Sequence, residues 1–321
     1  MLKRLLLVLV LVAGLSAAGA WWMLWASPGP AEAPTTIVVE PGASLARVAR
    51  QLEEEGAIPG TARTFRTMAR LFGSSDPIQA GEFEIPPGMS GARVLDHLQH
   101  GQPVRRFVTI PEGMPSVIVR DRLMAVEELV GEIEVPAEGS VLPSTYDYRR
   151  GETRAAVLER MQQAMTRALD ELWPQRQPNA MVNSREEAVI LASIVEKETA
   201  KAEEYGLVAG VLTNRLRIGM MLGADATTIY PITRGRPLGR EIRVSELRDR
   251  NPYNTRAVAG LPPGPITNPG RATIEAVLKP AETDALFYVA DGTGGHVFAR
   301  TYQEHQANVR RWREFRREHG L

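Results

Sequence analysis

Apolar residues run almost without interruption near the start of the chain, and this pattern predicts a membrane-spanning helix. Residues 5–31 carry no charge, and the stretch from Leu5 to Ala26 is almost wholly apolar. At about 1.5 Å per residue, these roughly 22 residues span a hydrocarbon core of about 30 Å. A cleaved signal peptide is the alternative, because small residues occur at 17, 18 and 20, but the length of the stretch favours an uncleaved anchor.

Charges and indoles orient this anchor. Lys3 and Arg4 precede it, so the positive-inside rule keeps that end in the cytoplasm and sends the remainder across the membrane. Three tryptophans stand at the outer end, where indole rings favour the membrane interface: Trp21, Trp22 and Trp25. We expect residues 1–30 to form the cytoplasmic tip and the anchor, with residues 27–35 as a Pro/Ala linker that has no means of packing.

A sequence repeat follows the linker and predicts a small α+β module over residues 31–102. PGASLARVARQL at 41–52 and PGMSGARVLDHL at 87–98 share most of their positions in register. Each predicts a Pro-Gly turn, a serine cap (Ser44, Ser90) and a short amphipathic helix, after a β-like run at Thr36–Val39 or Gly81–Ile85. From the pattern alone, a duplicated motif without a ligand is as good an interpretation as a binding unit.

Residues 103–180 form a connecting part whose pattern is less regular. We expect a strand at Val104–Ile110, a helix from Ser116, an aromatic and Pro-marked loop at 138–148, and a long helix at about 152–172. The Trp173-Pro174 pair ends that helix, since the residue before proline avoids the helical conformation.

The most informative pattern begins at Ser184, where a capping box with Glu187 opens a helix. Its apolar stripe recurs at three-and-four spacing through Ala188, Leu191, Ile194 and Val195. Glu198 continues this stripe. Glu196 does not, because two positions at roughly 100° per residue place the two carboxylates about 200° apart.

A carboxyl group on an apolar face is costly to ionise, so we expect the pKa of Glu198 to be raised. A group that holds a proton near neutrality is what a general acid for cleaving a sugar or acyl bond requires. The alternative is a structural glutamate that is paired with Lys or Arg or reaches water. The helix pattern by itself favours that alternative.

Two polar segments, 223–230 and 251–270, are expected to line a cleft. The second has five prolines and three glycines, and its prolines stiffen it into a wall suited to an extended ligand, although a loop held by its own turns is an equal alternative. After the second segment, residues 286–298 predict a β-hairpin and residues 301–318 predict a last helix. The candidate substrate-binding residues, all polar or aromatic, are Asn214, Asp225, Thr227, Tyr230, Tyr253, Asn254, Thr255 and Asn268.

The amino-acid composition argues against several classes of function. The 38 basic and 38 acidic residues balance, so there is no bulk electrostatic case for nucleic acid. The chain has no cysteine, which removes disulfides, thiol nucleophiles and thiolate metal sites. No metal-ligand spacing, phosphate loop or cofactor motif occurs, and the five histidines are scattered. We therefore expect neither a cofactor nor a metal.

Several segments together resemble the MltG/YceG family of membrane-anchored endolytic murein transglycosylases. They occur in the family's order: ILASIVEKETA at 190–200, NRLRIGMML at 214–222, the 225–230 stretch, PYNT at 252–255, GLPPGPITNPG at 260–270 and FYVADGTGGHVF at 287–298. The N-terminal half resembles the family more weakly, with the repeat as a LysM-like subdomain. The resemblance implies that Glu198, the second glutamate of the EKET motif, is the catalytic acid/base.

The chain departs from the family pattern at two places. The chain has LGADAT at 222–227 where the family usually has LQSDPT, so Gly223, Ala224 and Ala226 replace Gln, Ser and Pro. Ser144 replaces the acid of the family's FPDTY loop. No contact made by those missing side chains carries over to this chain.

The sequence thus predicts an α+β protein with an N-terminal transmembrane helix, a LysM-like subdomain and a mixed α/β catalytic domain at 181–321. The resemblance implies cleavage between N-acetylmuramic acid and N-acetylglucosamine in nascent strands, with formation of 1,6-anhydro ends that terminate growth. The resemblance also implies that the chain is anchored in the bacterial inner membrane with most of its residues in the periplasm, and that a cell-wall synthase is its partner. Two alternatives stay open: a non-catalytic peptidoglycan-binding scaffold, and a hydrolase that uses two carboxylates, with Asp225 as the second.

Overall fold

The computed structural model describes residues 2–320, which fold as a mixed α+β protein in two compact units. The first unit runs to Arg106 and includes Asp147–Glu152, and the second holds Phe107–Tyr146 and the chain from Thr153 onward. Residues of the predicted segments 103–180 and 181–321 share the second unit. Each unit has its own apolar core.

The first unit begins with the predicted apolar helix. Helix α1 spans Leu2–Trp21 and continues as a π-helical turn at Trp22–Ala26. The segment Lys3–Ala26 is long and apolar enough to cross a membrane, with a mean hydropathy of 2.2. Trp25 corrects our expectation of an interfacial cluster: only 4% of it is exposed, because it packs into the core of the first unit.

The repeat folds as predicted, into two strand–turn–helix copies. Strand β1 (Thr35–Val39) pairs antiparallel with β2 (Gly81–Ile85), and each strand leads through a turn into a helix, α2 (Leu45–Glu54) or α4 (Gly91–His100). Ser44 and Ser90 cap these helices by accepting hydrogen bonds from Arg47 N and Arg93 N. Helix α3 (Ala62–Phe72) lies between the copies in the chain.

The Pro/Ala segment after the anchor packs, and our expectation of a free linker is wrong. Gly88 N donates to Ala31 O at 3.1 Å. A Cβ at Gly29 would lie 2.3 Å from Met89 O, so only glycine allows the backbone to approach this closely. The anchor is therefore connected to the module by packed chain.

The second unit is mostly helical. Before its central helix, this unit contains α5 (Ser116–Met124), α6 (Arg154–Leu172) and the parts of the paired strands β3 (Arg106–Ile110) and β4 (Ser144–Tyr148) that lie within Phe107–Tyr146. Part of the stretch we predicted as a loop at 138–148 is thus a strand. The remaining elements are α7 (Arg185–Glu198), α8 (Tyr205–Arg217), α9 (Asp225–Thr233), α10 (Val244–Arg248), α11 (Arg271–Leu278), β5 (Phe287–Ala290), β6 (His296–Ala299) and α12 (Tyr302–His319).

Helix α7 forms the centre of this unit and packs against α8 and α11. Ser184 caps it by accepting a hydrogen bond from Glu187 N, as the capping box predicts, while the Glu187 carboxylate turns back to Asn183 N. Every residue from Ala188 to Val195 is buried or nearly so, so the helix is buried on more than the single predicted face. Such a rigid, enclosed helix fixes the position of its last residue, Glu198.

Candidate active site

Glu198 ends α7 at the edge of a cavity in the second unit. Thr199, in extended conformation, breaks the helix directly after it. The cavity has a volume of about 430 Å³ and combines one carboxyl group with arginine, histidine and tyrosine side chains. Its lining residues are Glu198, Arg215, Met220, Met221, Gly223, Arg256, Tyr288, Val289, Ala290, His296 and His305.

A phenol fixes one oxygen of the Glu198 carboxyl group. Tyr288 on β5 donates a hydrogen bond from its hydroxyl to Glu198 Oε2 at 2.8 Å. Burial and the neighbouring Glu198 raise the pKa of Tyr288 well above its usual value, so the phenol keeps its proton and remains the donor. This arrangement leaves Oε1 of Glu198 to carry an acidic proton.

Burial raises the pKa of Glu198, as the apolar stripe predicts. The Tyr288 hydrogen bond and the positive charges of His296 and Arg215 lower it, and the charge of Asp225 raises it. Desolvation prevails over the interactions that favour the anion. The carboxyl group therefore holds its proton to a higher pH than an exposed glutamate.

Glu196 points elsewhere, in agreement with the predicted 200° separation. Its Oε2 accepts hydrogen bonds from Gly270 N at 2.9 Å and from Thr273 Oγ1 at 2.7 Å. These donors belong to the start of α11, so this carboxylate caps a neighbouring helix. The two glutamates of the same turn thus have different environments, one at a helix terminus and one at the cavity.

Asp225, the candidate second carboxylate, begins α9 and forms an ion pair with Arg256. More than half of its side chain, 57%, is exposed. It lies near enough for its charge to raise the pKa of Glu198. A hydrolase of the two-carboxylate type needs its second carboxylate to face a water beside the substrate, and here Oδ1 of Asp225 faces the Arg256 guanidinium instead.

His296 on β6 is held in the cavity by the partly buried carboxylate of Glu204. Its Nδ1 lies 2.7 Å from Glu204 Oε2, and its backbone N donates to Glu204 Oε1 at 2.7 Å. Burial alone would raise the pKa of Glu204, but the hydrogen bonds from His296 and Thr199 lower it, so Glu204 stays ionised. The His296 ring meets the Tyr288 ring edge to face at 5.3 Å.

Arg215 on α8 forms another wall of the cavity. It donates from Nε to Leu286 O at 2.7 Å and lies over the Tyr288 ring with its guanidinium carbon 5.6 Å from the ring centre. Gly223 lies beside it with φ of +71°, a left-handed conformation that glycine favours. A Cβ at Gly223 would lie 3.4 Å from Arg215 Nη1, so the side chain that the family pattern has here would enter the space next to this arginine.

Four of the predicted substrate-binding residues are fully buried and hydrogen-bonded within the protein. Thr255 and Thr227 bond each other at 2.8 Å and together fix the backbone of Gly223 and Ala224. Asn254 donates to three carbonyl groups at 246–249 and accepts from Thr228 and Arg256. Thr227, Asn254 and Thr255 therefore support the part of the cavity wall that holds Gly223 and Arg256.

Asn268, the fourth, lies apart from the cavity. Its side-chain amide donates to Met114 O at 2.9 Å and Ser116 Oγ at 3.1 Å, and its oxygen accepts from Val141 N at 3.0 Å. With all of its hydrogen-bonding groups engaged, it links the segment 114–141 to the Pro-rich loop.

The remaining predicted residues also lie outside the cavity lining. Asn214 donates to Thr283 O at 2.8 Å and Ala285 O at 3.1 Å, so it anchors the chain that leads into β5. Tyr230 donates to Glu138 Oε2 at 3.2 Å and packs against Tyr253 with ring centres 5.1 Å apart. Of the eight predicted residues, Asp225 is the one whose charge raises the pKa of Glu198, and the other seven lie in the supporting framework.

The Pro-rich loop does line a groove, although a different one. Pro263, Gly264 and Pro265 border a space of about 570 Å³ together with residues of α6 and the first half of α7. Ser193 on α7 holds this loop by accepting a hydrogen bond from Ile266 N at 3.1 Å. The prolines form the wall that we expected, whereas Asn254, Thr255 and Asn268 of the same loop are buried inside the protein.

Comparison with known proteins identifies the family of the chain. The sequence model of the YceG-like family matches residues 37–311, which is most of the chain and includes every cavity residue. The chain belongs to the YceG-like family. Across the part of this YceG-like chain that the structure describes, no group of three or more His, Asp or Glu side chains is arranged to hold a metal ion.

Named relatives of this YceG-like chain are enzymes of the cell wall by their descriptions. It is 27% identical to an endolytic murein transglycosylase of Streptococcus pneumoniae serotype 2, over 85% of this chain and 57% of the relative, so the chain spans little more than half the length of that protein. It is 25% identical to an endolytic murein transglycosylase of Bacillus subtilis, over 84% of this chain and 82% of the relative.

A solved structure shares the fold. A crystal structure of a yceG-like protein from Listeria monocytogenes matches with a TM-score of 0.53 and 25% sequence identity, covering 86% of this chain and 99% of that one.

Our sequence reasoning missed most of the cavity of this YceG-like protein. It did not single out Arg215, Arg256, Tyr288, His296 or His305. The hairpin pattern carried a signal for two of them, because Tyr288 pairs with Phe298 and Ala290 with His296. Residues opposite each other, or two apart, share a face of a β-hairpin, so Tyr288 and His296 were bound to lie together. Arg215 and Arg256 lie on separate elements, so no repeating spacing within a single helix or strand predicts that they meet.

Proposed function

We propose that this YceG-like chain is an endolytic murein transglycosylase that uses Glu198 as its single catalytic acid and base. The observation that carries the proposal is a half-buried carboxyl group with a raised pKa at the edge of a polar cavity, held by one phenol. The names of the S. pneumoniae and B. subtilis relatives support murein as the substrate.

The reaction needs no second carboxylate from the protein. Glu198 donates its proton to the glycosidic oxygen between N-acetylmuramic acid and N-acetylglucosamine, and the C1–O bond breaks with its electron pair moving to that oxygen. The Glu198 carboxylate then takes the proton from the muramyl 6-hydroxyl, whose oxygen bonds to C1 and gives a 1,6-anhydro end. Because the nucleophile belongs to the substrate, its proximity takes the place of an activated water.

The cavity residues suit both halves of this cycle. The raised pKa lets Glu198 begin as an acid. Once the proton has left, the Tyr288 hydroxyl and the positive charges of Arg215 and His296 stabilise the carboxylate. Glu204 keeps the His296 ring in place through Nδ1.

The ion pair of Asp225 with Arg256 favours this mechanism over a two-carboxylate hydrolysis. We propose that Asp225 acts on Glu198 through its charge. We propose that Thr227, Asn254 and Thr255 support Asp225 and the turn that precedes it in the chain. Asn214, Tyr230, Tyr253 and Asn268 are proposed to hold the framework around the glycan-binding surface.

The first unit supports a second part of the proposal. Its apolar helix is long enough to span the bacterial inner membrane, and Lys3 and Arg4 favour placing the bulk of the chain in the periplasm. The strand–helix–helix–strand order of β1, α2, α3 and β2 supports a LysM-like, glycan-binding role for residues 31–102. Residues 103–180 and 181–321 are proposed to act as one catalytic unit, and a cell-wall synthase as the partner that supplies nascent strands.

Product analysis tests the reaction. Purified chain is incubated with uncrosslinked murein strands, and the products are identified by mass. We expect long fragments with 1,6-anhydro-muramyl ends, because cuts fall within the strand. Ordinary reducing ends would instead indicate hydrolysis, and Asp225→Asn would then be the variant that abolishes it. A chain that binds strands but releases no product would be a scaffold.

A further inference from the structure

The end of helix α3 in the first unit carries exposed apolar side chains that the proposed function does not use. Leu71 and Phe72, which we call the α3 tip, are 67% and 56% exposed, whereas Phe65 on the same helix is 1% exposed. Two large apolar side chains at the end of a helix are costly to leave in water. The question is which surface covers them.

Two aromatic pairs fix the direction of α3 relative to the anchor within this unit. Trp25 packs against Phe65 with ring centres 5.8 Å apart, and Trp21 meets Phe72 edge to face at 6.2 Å. The anchor therefore passes from Trp25 back to Trp21 as α3 advances from Phe65 to Phe72. The two helices run antiparallel here, and α3 points its C-terminal end back along the anchor, towards the apolar segment.

The length of the anchor gives the depth of the tip. About 20 residues at about 1.5 Å each cross a hydrocarbon core of about 30 Å, so a span that starts at Leu5 ends near Leu24. Trp21 then lies at the outer boundary of the hydrocarbon, and Phe72, in contact with its ring, lies at the same depth. Trp22 and Met23, also exposed, continue this apolar surface along the anchor.

The charges near the tip suit a lipid surface. Arg70 precedes the tip and is exposed, which allows its guanidinium to reach headgroup phosphates. The acidic residue that follows most closely in the sequence, Asp76, is already paired with His100 Nε2 at 3.0 Å.

We propose that the α3 tip is a second membrane contact, in which Leu71 and Phe72 enter the outer lipid–water interface beside the anchor. This inference rests on the proposed anchoring of the chain. An interfacial wedge on a packed helix would hold the first unit at a fixed depth and tilt, because the anchor and α3 then meet the bilayer as one surface.

Nitroxide accessibility in vesicles tests this directly, since the chain has no cysteine to remove. The full chain is reconstituted into phosphatidylethanolamine–phosphatidylglycerol vesicles as three single-cysteine variants that carry a spin label. Leu71→Cys reports on the tip, and Thr67→Cys, exposed one turn earlier on the same helix, is the matched control. Leu11→Cys reports on the anchor. All three sites are exposed, so we expect the labelled chains to fold.

Collision with oxygen, which concentrates in lipid, is compared with collision with a water-soluble nickel complex. We expect the oxygen-to-nickel ratio at Leu71 to be severalfold above that at Thr67 and close to that of a lipid-facing site such as Leu11. A ratio at Leu71 equal to that at Thr67, with Leu11 in lipid, would overturn the tip contact and leave the anchor intact. A nickel-accessible Leu11 would refute the anchoring and the tip contact together.

Discussion

At the scale of single residues, the proton affinity of Glu198 results from opposing influences that lie on different elements. Burial at the end of α7 raises its pKa, while Tyr288 on β5 and His296 on β6 lower it. The balance leaves a carboxyl group that is still protonated when exposed glutamates are not. Each interaction that lowers this pKa belongs to one side chain, so a single substitution tests it.

The pH dependence of turnover follows from this balance. Activity requires protonated Glu198, so the rate is expected to fall as pH rises through its raised pKa. Tyr288→Phe removes a hydrogen bond that lowers the pKa of Glu198, and His296→Gln removes a ring whose electrostatic interaction with Glu198 also lowers that pKa. Both variants should move the alkaline limb of the kcat/KM profile to higher pH, whatever they do to the maximal rate. An alkaline limb that moves to lower pH in either variant would contradict the assignment.

Stability should respond to the same group. Because the folded-state pKa of Glu198 lies above its unfolded value, its contribution to stability is present in full below the unfolded value and is lost as pH rises through the folded one. Glu198→Gln has no charge to desolvate, so the free energy of unfolding of the variant should match that of the wild type near pH 4 and exceed it at pH 8. Urea unfolding at the two pH values measures this. A variant that is less stable at pH 8 would refute the desolvated carboxyl.

At the scale of elements, buried amides hold the framework around the cavity. Asn268 bridges Met114, Ser116 and Val141, so Asn268→Ala leaves several buried groups without partners. We expect a loss of about 2–4 kcal/mol in the free energy of unfolding, with KM unchanged in the folded fraction. Asn183→Ala, at an exposed position before α7, should cost less than about 0.5 kcal/mol. A stable Asn268→Ala variant with a strongly raised KM would show that Asn268 binds substrate.

Local periodicity identified the elements that pack by one face or repeat a motif. The Ser44 and Ser90 caps, the α7 stripe and the β5–β6 hairpin all follow from side-chain spacing within a single segment. The stretch 223–230 reads as a polar loop, but from Asp225 it forms helix α9 because buried Thr227, Thr228 and Tyr230 pack inward. Trp25 reads as an interfacial indole, but tertiary packing against Phe65 buries it. In both cases the local composition predicts the wrong environment, because contacts with residues distant in the sequence determine the structure.

At the scale of the whole molecule, the candidate site joins residues that no local pattern connects. Glu198 was found because one helix face and one motif both single it out. Its partner Tyr288 lies 90 positions away, and Arg215 and Arg256 come from a helix and a loop. The sequence could place the acid on its helix, whereas the groups that tune its pKa depend on how β5, β6 and α8 meet α7.

Turnover of murein by Glu198→Gln tests the central claim most directly. The measurement is the amount of 1,6-anhydro product, by mass, from wild type, Glu198→Gln and the control Glu203→Gln, which removes an exposed carboxylate five residues further on. We predict that Glu203→Gln keeps wild-type activity and that Glu198→Gln forms no product while it still folds and binds strands. Equal product from Glu198→Gln and the wild type would contradict the account.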